Sequence, residues 1–227
     1  MIDRPEPQSQ SIDSSAAGQA VGSTDSTPTV ARQLAATQAI HQRMAFHNGS
    51  LYEGEFVNGL YHGKGTFTWV LGTVYEGQWV AGKRNGVGTY THSSGAVYSG
   101  DWVDDIRHGR GRYTYPDGSV YEGDWQRGKR TGQGMLRHAS GFVYEGQFVN
   151  GKRHGQGIST LADGAVFEGD WHDGKLNGSG GYRYPSGESY QGEFVDGKRH
   201  GLGTYTSAKG VELACAWVNG ARAENGG

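Results

Sequence analysis

PDGSVYEGDWQRGKRTGQG, residues 116 to 134, holds the pattern that decides the fold of this chain. Pro116-Asp117-Gly118 is a turn signal between two β-prone runs, GRGRYTY before it and VYEGDW after it. Side chains alternate faces along a strand, so Tyr121, Gly123 and Trp125 share one face while Glu122 and Asp124 share the other. On the preceding run Gly109, Gly111, Tyr113 and Tyr115 also share parity, which sets bare glycine backbone beside aromatic rings of neighbouring strands. The unit predicts a β-hairpin with one aromatic and one polar face, followed by a polar linker, QRGKRTG.

Outward from this stretch the pattern repeats at constant stride. Aromatic-x-Gly-x-aromatic begins at Tyr52, Tyr75, Tyr98, Tyr121, Tyr144, Phe167 and Tyr190, each 23 residues after the last. One more step reaches LACAW from Leu213, an eroded copy that keeps Trp217 and puts Cys215 in the glycine slot. Gly-x-Gly pairs from Gly63/Gly65 to Gly201/Gly203 and single turn glycines from Gly49 to Gly210 keep the same phase. A fixed period of this length marks a repeat architecture. The expected fold is all-β: an elongated single-layer antiparallel meander of about eight tandem hairpins, extending roughly 75 Å at two strands per repeat.

Composition agrees. The 227 residues include 41 glycines but only 5 prolines, which excludes a collagen-like chain, and 13 Tyr, 7 Phe and 6 Trp stand in for a scarce aliphatic core. A net charge of -2 argues against a general nucleic-acid binder. Cys215 is the single cysteine, so no internal disulfide framework or multi-cysteine zinc site is expected. No apolar run is long enough to span a membrane, and the start, MIDRPEPQSQ, lacks a signal core, so the expected location is cytoplasmic. Residues 1–29, rich in Ser, Gln, Ala and Thr, are expected to be a disordered tail. VARQLAATQAIHQ at 30–42 carries good helix formers and predicts a short helix. The array is placed at 43–220 and a flexible tail at 221–227.

Motifs for catalysis are missing: there is no G-x-S-x-G, H-E-x-x-H or G-x-x-x-x-G-K-[ST], and no Gly-x-Gly opens a predicted helix that could hold phosphate. A non-enzyme without cofactor or metal is expected. His62, His108, His154 and His200 share one slot in alternate repeats, but a separation of about 19 Å prevents them from sharing an ion. Cys215 reads as a small residue standing in for glycine.

The many in-phase copies, spread over about residues 41 to 220, strongly resemble the MORN (membrane occupation and recognition nexus) repeat. That resemblance implies a twisted antiparallel sheet acting as a scaffold, dimerisation module or docking surface in ciliary, cytoskeletal and membrane-associated assemblies. It is similar to all-repeat proteins of radial-spoke heads and axonemes, which implies a cytoskeletal location in the cilium or flagellum. Leu136 and Ser159 in place of the first-strand aromatic, and Asp105 in place of the linker glycine, depart from the pattern.

Three candidate surfaces follow. The aromatic stripe, Tyr75, Trp79, Tyr98, Trp102, Tyr121 and Trp125 continued by Tyr144, Phe148 and Trp171, is expected to be a partly exposed groove for an extended or helical segment of a protein partner. Lys83-Arg84, Lys129-Arg130, Lys152-Arg153 and Lys198-Arg199 are expected along one edge, where they would suit an anionic phosphoinositide surface. The last copy, Leu213, Ala214, Cys215, Ala216, Trp217 and Val218, is apolar on both faces and is expected to be covered, for example by a second copy in a homodimer. The favoured reading is a non-catalytic scaffold in an axoneme or another cytoskeletal assembly; the alternative is a peripheral membrane adaptor.

Overall fold

The computed structural model describes residues 38 to 223. The expected tail at 1–29, residues 30–37 of the expected helix, and 224–227 lie outside the described residues. Seventeen strands, from β1 (Ile40–Ala45) to β17 (Ala221–Arg222), form one open antiparallel sheet. Each strand pairs with its neighbours in the chain, so the sheet is an uninterrupted meander. Two expectations change at its ends. Ile40–Gln42, expected as the end of a helix, are strand: β1 covers the edge of β2 (Leu51–Val57), with Met44 opposite Tyr52, and edge pairing outweighs weak helix propensity. Ala221 and Arg222, expected in a tail, pair with Val218 and Trp217.

The central repeat shows how the sequence produces the hairpin. In β8 (Val120–Gln126), Tyr121, Gly123 and Trp125 are buried while Glu122 and Gln126 are exposed. Gly123 stands opposite Gly111 of β7 (Ile106–Thr114) and Gly134 of β9 (Lys129–Arg137). The Tyr121 ring occupies the space this leaves: a Cβ on Gly134 would lie 2.5 Å from the Tyr121 hydroxyl oxygen and 2.7 Å from its ring. That hydroxyl donates to the Asp124 carbonyl at 3.0 Å and pins the ring flat. Tyr52, Tyr75, Tyr98, Tyr144 and Tyr190 make the same bond three residues ahead. Phe167 has no hydroxyl. Its ring is only partly buried, does not lie over Gly180, and packs on Tyr182 at 3.9 Å.

The expected linker is mostly strand. Between β8 and β9 only Arg127 and Gly128 turn the chain, with φ of 51° and 76°, a geometry that matches a two-residue primed hairpin turn. Lys129, Arg130 and Thr131 already belong to β9. The polar composition of QRGKRTG hid a tight-turn signal, Xaa-Gly, followed by strand. A bulge then resets the register at Asp124, whose carboxylate accepts the Gln133 N–H at 2.8 Å. Asp101 and Asp170 bond Arg110 N–H and Ser179 N–H in the same manner.

The eroded copy has a physical reason too. In regular repeats a Cβ at the Cys215 slot would strike the tyrosine two residues earlier and the glycine of the next strand. Here Leu213 replaces the tyrosine and β17 ends before reaching that glycine position, so the Cys215 side chain fits and is buried.

Candidate interaction surface

The rings expected to line an exposed groove are buried. Trp79, Trp102, Trp125 and Trp171 are 4%, 2%, 5% and 6% exposed, and Tyr75, Tyr98, Tyr121, Tyr144 and Phe148 at most 2%. Each tyrosine packs edge-on against the aromatic of the next repeat, as in Tyr75–Trp102 at 5.5 Å, Tyr98–Trp125 at 5.3 Å and Tyr144–Trp171 at 5.2 Å. Trp79, Trp102, Trp125 and Trp171 donate Nε1–H to Gly65, Gly88, Gly111 and Gly157 carbonyls at 3.0 to 3.1 Å. Burial pushes the phenols of Tyr52, Tyr61, Tyr75 and Tyr144 up to about 12. These residues build the wall of the aromatic face and do not themselves form its accessible surface.

A second set of rings lies half-buried against this core: Trp69, Tyr90, Tyr113, Tyr115, Phe142 and Tyr182 among them. They come from first strands of the hairpins and, for Trp69, Tyr115 and Phe142, from the loops. Parity along GRGRYTY indicated their face but not that they, rather than the tryptophans, are reachable.

The Lys-Arg pairs divide between faces. Arg84 stands opposite the inward Trp79 and Lys83 opposite the outward Val80. Lysines 83, 152 and 175 reach Asp104, Asp173 and Asp196 at 3.6, 3.4 and 3.0 Å. The arginines enter cages of rings instead, so a continuous Lys-Arg edge is not formed. The Arg84 guanidinium lies 4.3 Å from Trp102, 5.3 Å from Tyr90 and 5.7 Å from Tyr75. Arg107 has the equivalent set, Trp125, Tyr113 and Tyr98. Arg153 lacks a first-strand ring because that residue is Ser159; Phe142 takes the place at 5.3 Å. Arg130 lies over Tyr121 and Phe148, and Arg199 over Tyr190 and Trp217. Arg130 and Arg153 also donate to the Gly151 and Gly174 carbonyls, at 2.8 and 2.7 Å, and so clamp the tight turn of the following repeat. Tyr61 and Leu176 occupy the same slot as buried residues.

Asp105 shows why the turn glycine can be replaced. Its φ is 69°, unfavourable for a side chain, but its carboxylate accepts from Arg84 Nε at 2.9 Å and from Arg84 N–H at 3.0 Å. The departure read in the sequence is thus an ion pair across repeats.

The opposite face is polar and carries open depressions of about 620 and 810 Å³ over the first repeats, lined in part by Glu53, Lys64, Glu76 and Gln78. Of the histidine row, His154 meets His172 of the adjacent strand with ring centres 4.9 Å apart, and no group of three or more His, Cys, Asp or Glu among the described residues could hold a metal ion. No described helix is long and apolar enough to cross a membrane.

At the C-terminal end, Cys215 and Trp217 are buried, whereas Leu213, Ala214, Ala216 and Val218 of β16 (Glu212–Val218) are exposed. β17 pairs only with Trp217 and Val218. Trp217 Nε1 is buried and has no hydrogen-bond partner, unlike its four equivalents.

The family model for the MORN repeat matches residues 52–74, 75–97, 98–120, 121–143, 144–166, 167–189 and 190–212. No curated protein matches the chain. Among solved structures it is similar to the TCP domain of SAS-4 (dCPAP) in complex with a proline-rich motif of Ana2 (dSTIL) of Drosophila melanogaster. That likeness has 10% identity and a TM-score of 0.44, covering 86% of this chain and 97% of that one. It is also similar to the TCP10 domain of Danio rerio CPAP with a STIL peptide, at 12% identity and a TM-score of 0.45, covering 79% and 84%. Such distant likenesses carry no functional argument.

Proposed function

Given that the chain belongs to the MORN repeat family, we propose that it is a non-catalytic protein-interaction scaffold whose aromatic face receives a segment of a partner, in a cytoskeletal assembly such as the axoneme of a cilium or flagellum. The observation that carries this reading is the row of half-buried rings, including Tyr90, Tyr113 and Tyr182, laid over a closed aromatic core. Aromatic rings that keep an accessible flank on a rigid sheet suit a binding face, because large contact area is offered with little side-chain entropy to lose. The test is a photo-crosslinking residue placed at Tyr113, with Glu122 on the opposite face as control, in the full chain in its native cell. Discrete protein adducts from position 113 are expected. Adducts no more frequent there than from 122 would reject the face, and proximity labelling that never returns cytoskeletal proteins would reject the location.

Self-association through β16 belongs to the same proposal, because its outward Ala214, Ala216 and Val218, with the exposed Leu213 on the aromatic face, present apolar surface beside an edge that β17 covers only in part. Light scattering is expected to show a dimer that deletion of 211–227 converts to a monomer. Adaptor binding to phosphoinositide membranes has weaker support. The arginines are recessed among rings and Lys83 and Lys152 are engaged with aspartates, so fewer cations protrude than the sequence suggests.

A further inference from the structure

Four consecutive repeats place a guanidinium on the aromatic face, at Arg84, Arg107, Arg130 and Arg153. Only the first has a counter-ion. Arg84 meets Asp105, and among the described residues no carboxylate lies within 4.0 Å of Arg107, Arg130 or Arg153. Backbone carbonyls take one hydrogen bond from each, at Gly128, Gly151 and Gly174, but leave the charge uncompensated. Burial and the neighbouring Arg130 both depress the Arg153 pKa. Ring faces and backbone carbonyls hold these three cations, and a flank of each stays open to an external carboxylate.

The stride of the row restricts what can supply that anion. One repeat advances two strands, about 9.6 Å. A chain crossing the strands must therefore present the same kind of group, on the same side, every ~9.6 Å. A β-strand covers that distance in about three residues, but its third residue points to the opposite side. An α-helix brings a side chain back to the same side only after seven residues, ~10.5 Å, which overshoots the stride by ~0.9 Å at every repeat. A polyproline II helix has three residues per turn at ~3.1 Å each, so every third residue returns to the same side after ~9.3 Å. Of the regular conformations, that one fits the stride.

We propose that Arg107, Arg130 and Arg153 bind an acidic segment of a partner protein in the polyproline II conformation, a carboxylate at every third residue meeting one guanidinium and the intervening prolines lying on the half-buried Tyr90, Tyr113 and Phe142. The proposal rests on the scaffold reading and specifies its partner. Asp105 supplies the template within the chain: a carboxylate docked on a caged arginine, 2.9 Å from Nε. A narrow segment can reach recessed guanidiniums that a flat membrane surface cannot.

The same template provides the variants. Gly128 and Gly151 stand to Arg107 and Arg130 as Asp105 stands to Arg84, and Gly128 has φ 76° against 69° for Asp105, so aspartate is already tolerated in that backbone state. Fluorescence anisotropy on the full chain at low salt, with a labelled peptide of five Glu-Pro-Pro repeats, reads the interaction. Binding should weaken at least tenfold for five Glu-Gly-Gly repeats, vanish for Lys-Pro-Pro repeats, and weaken at least tenfold in the Gly128→Asp/Gly151→Asp double variant. Asp105→Gly, which restores the residue found in the other turns and frees Arg84, should bind severalfold more tightly. Equal affinity for the proline and glycine peptides, an unchanged Kd in the folded double variant, or no gain with Asp105→Gly would overturn the proposal. So would binding to vesicles containing phosphatidylinositol bisphosphate without any peptide binding. If the peptide fails while crosslinking at Tyr113 still yields a protein adduct, the partner's chemistry is wrong and the scaffold reading stands. If both fail, the scaffold reading falls first.

Discussion

Gly111→Ala tests the contact on which the whole array depends. A Cβ at this position would lie 2.6 Å from both Cε2 and Cζ of Tyr98, roughly 1 Å inside ordinary carbon–carbon contact. Tyr98 is 1% exposed. Its hydroxyl donates to the Asp101 carbonyl at 2.9 Å, and Trp102 and Trp125 stand edge-on at 5.0 and 5.3 Å, so the ring has nowhere to retreat. Overpacking a fixed core costs about 1–3 kcal/mol, and losing the hydroxyl bond adds about 1 kcal/mol. The expected loss is about 2–4 kcal/mol. Gly118→Ala is the control: φ is +85° there and nothing lies within 4 Å of the added methyl, so backbone strain alone, about 1–2 kcal/mol, remains. Urea unfolding followed by tryptophan fluorescence compares the two. If Gly111→Ala is no more damaging than Gly118→Ala, rings do not rest on bare backbone and the account of the repeat is wrong.

Alkaline stability follows from the same burial. Burial raises Tyr52, Tyr75 and Tyr144 to about 12 from the ordinary phenol value of 10.0, so their neutral forms favour the folded state below pH ~10 and that contribution is lost as pH rises toward 12. Tyrosinate absorbance should appear in two stages, exposed phenols first and buried ones only with unfolding; a single transition near pH 10 with the fold intact would contradict this. Trp125→Phe should cost about 1 kcal/mol more than Trp217→Phe by thermal melts, because Trp125 Nε1 bonds the Gly111 carbonyl while Trp217 Nε1 is buried without a partner. Equal costs would mean the indole bond adds nothing. Arg84→Met should destabilise more than Lys83→Met, since Arg84 joins three rings and Asp105 whereas Lys83 makes one exposed ion pair; the reverse order would refute the cage.

The 23-residue stride, the hairpins and the division into an aromatic and a polar face were legible because strand parity and phase-locked glycines need no knowledge of tertiary contacts. Depth was not. Whether Trp125 is covered depends on Tyr98 and Arg107 from the two preceding strands, and parity within VYEGDW cannot reveal a neighbour that approaches from outside its own strand. The Lys-Arg pairs failed for a narrower reason. Treating Gly-Lys-Arg as linker assigned both cations to solvent; recognising Asn58-Gly59 or Arg127-Gly128 as a two-residue turn would have continued the alternation and put Arg130 opposite Trp125 and Lys129 opposite Gln126. Helix propensity at 40–42 lost to an unpaired strand edge, information absent from the local sequence.

Departures from the repeat pattern also change meaning once contacts are known. Ser159 removes a ring from the Arg153 cage, and Phe142, where other repeats carry residues such as Ser119 or Ala165, restores it from the loop. Leu213 removes a ring, and Cys215 fills the space. Asp105 introduces backbone strain, and Arg84 holds its carboxylate. These three exceptions are each matched by a second residue in spatial, not sequential, register, because a slot in the sheet is built by two or three successive repeats. An unmatched charge is therefore the informative kind. Arg107, Arg130 and Arg153 are regular in sequence yet lack, among the described residues, the counter-ion that Arg84 has, and it is this imbalance, more than any eroded copy, that makes the aromatic face the surface on which to test for an external anion.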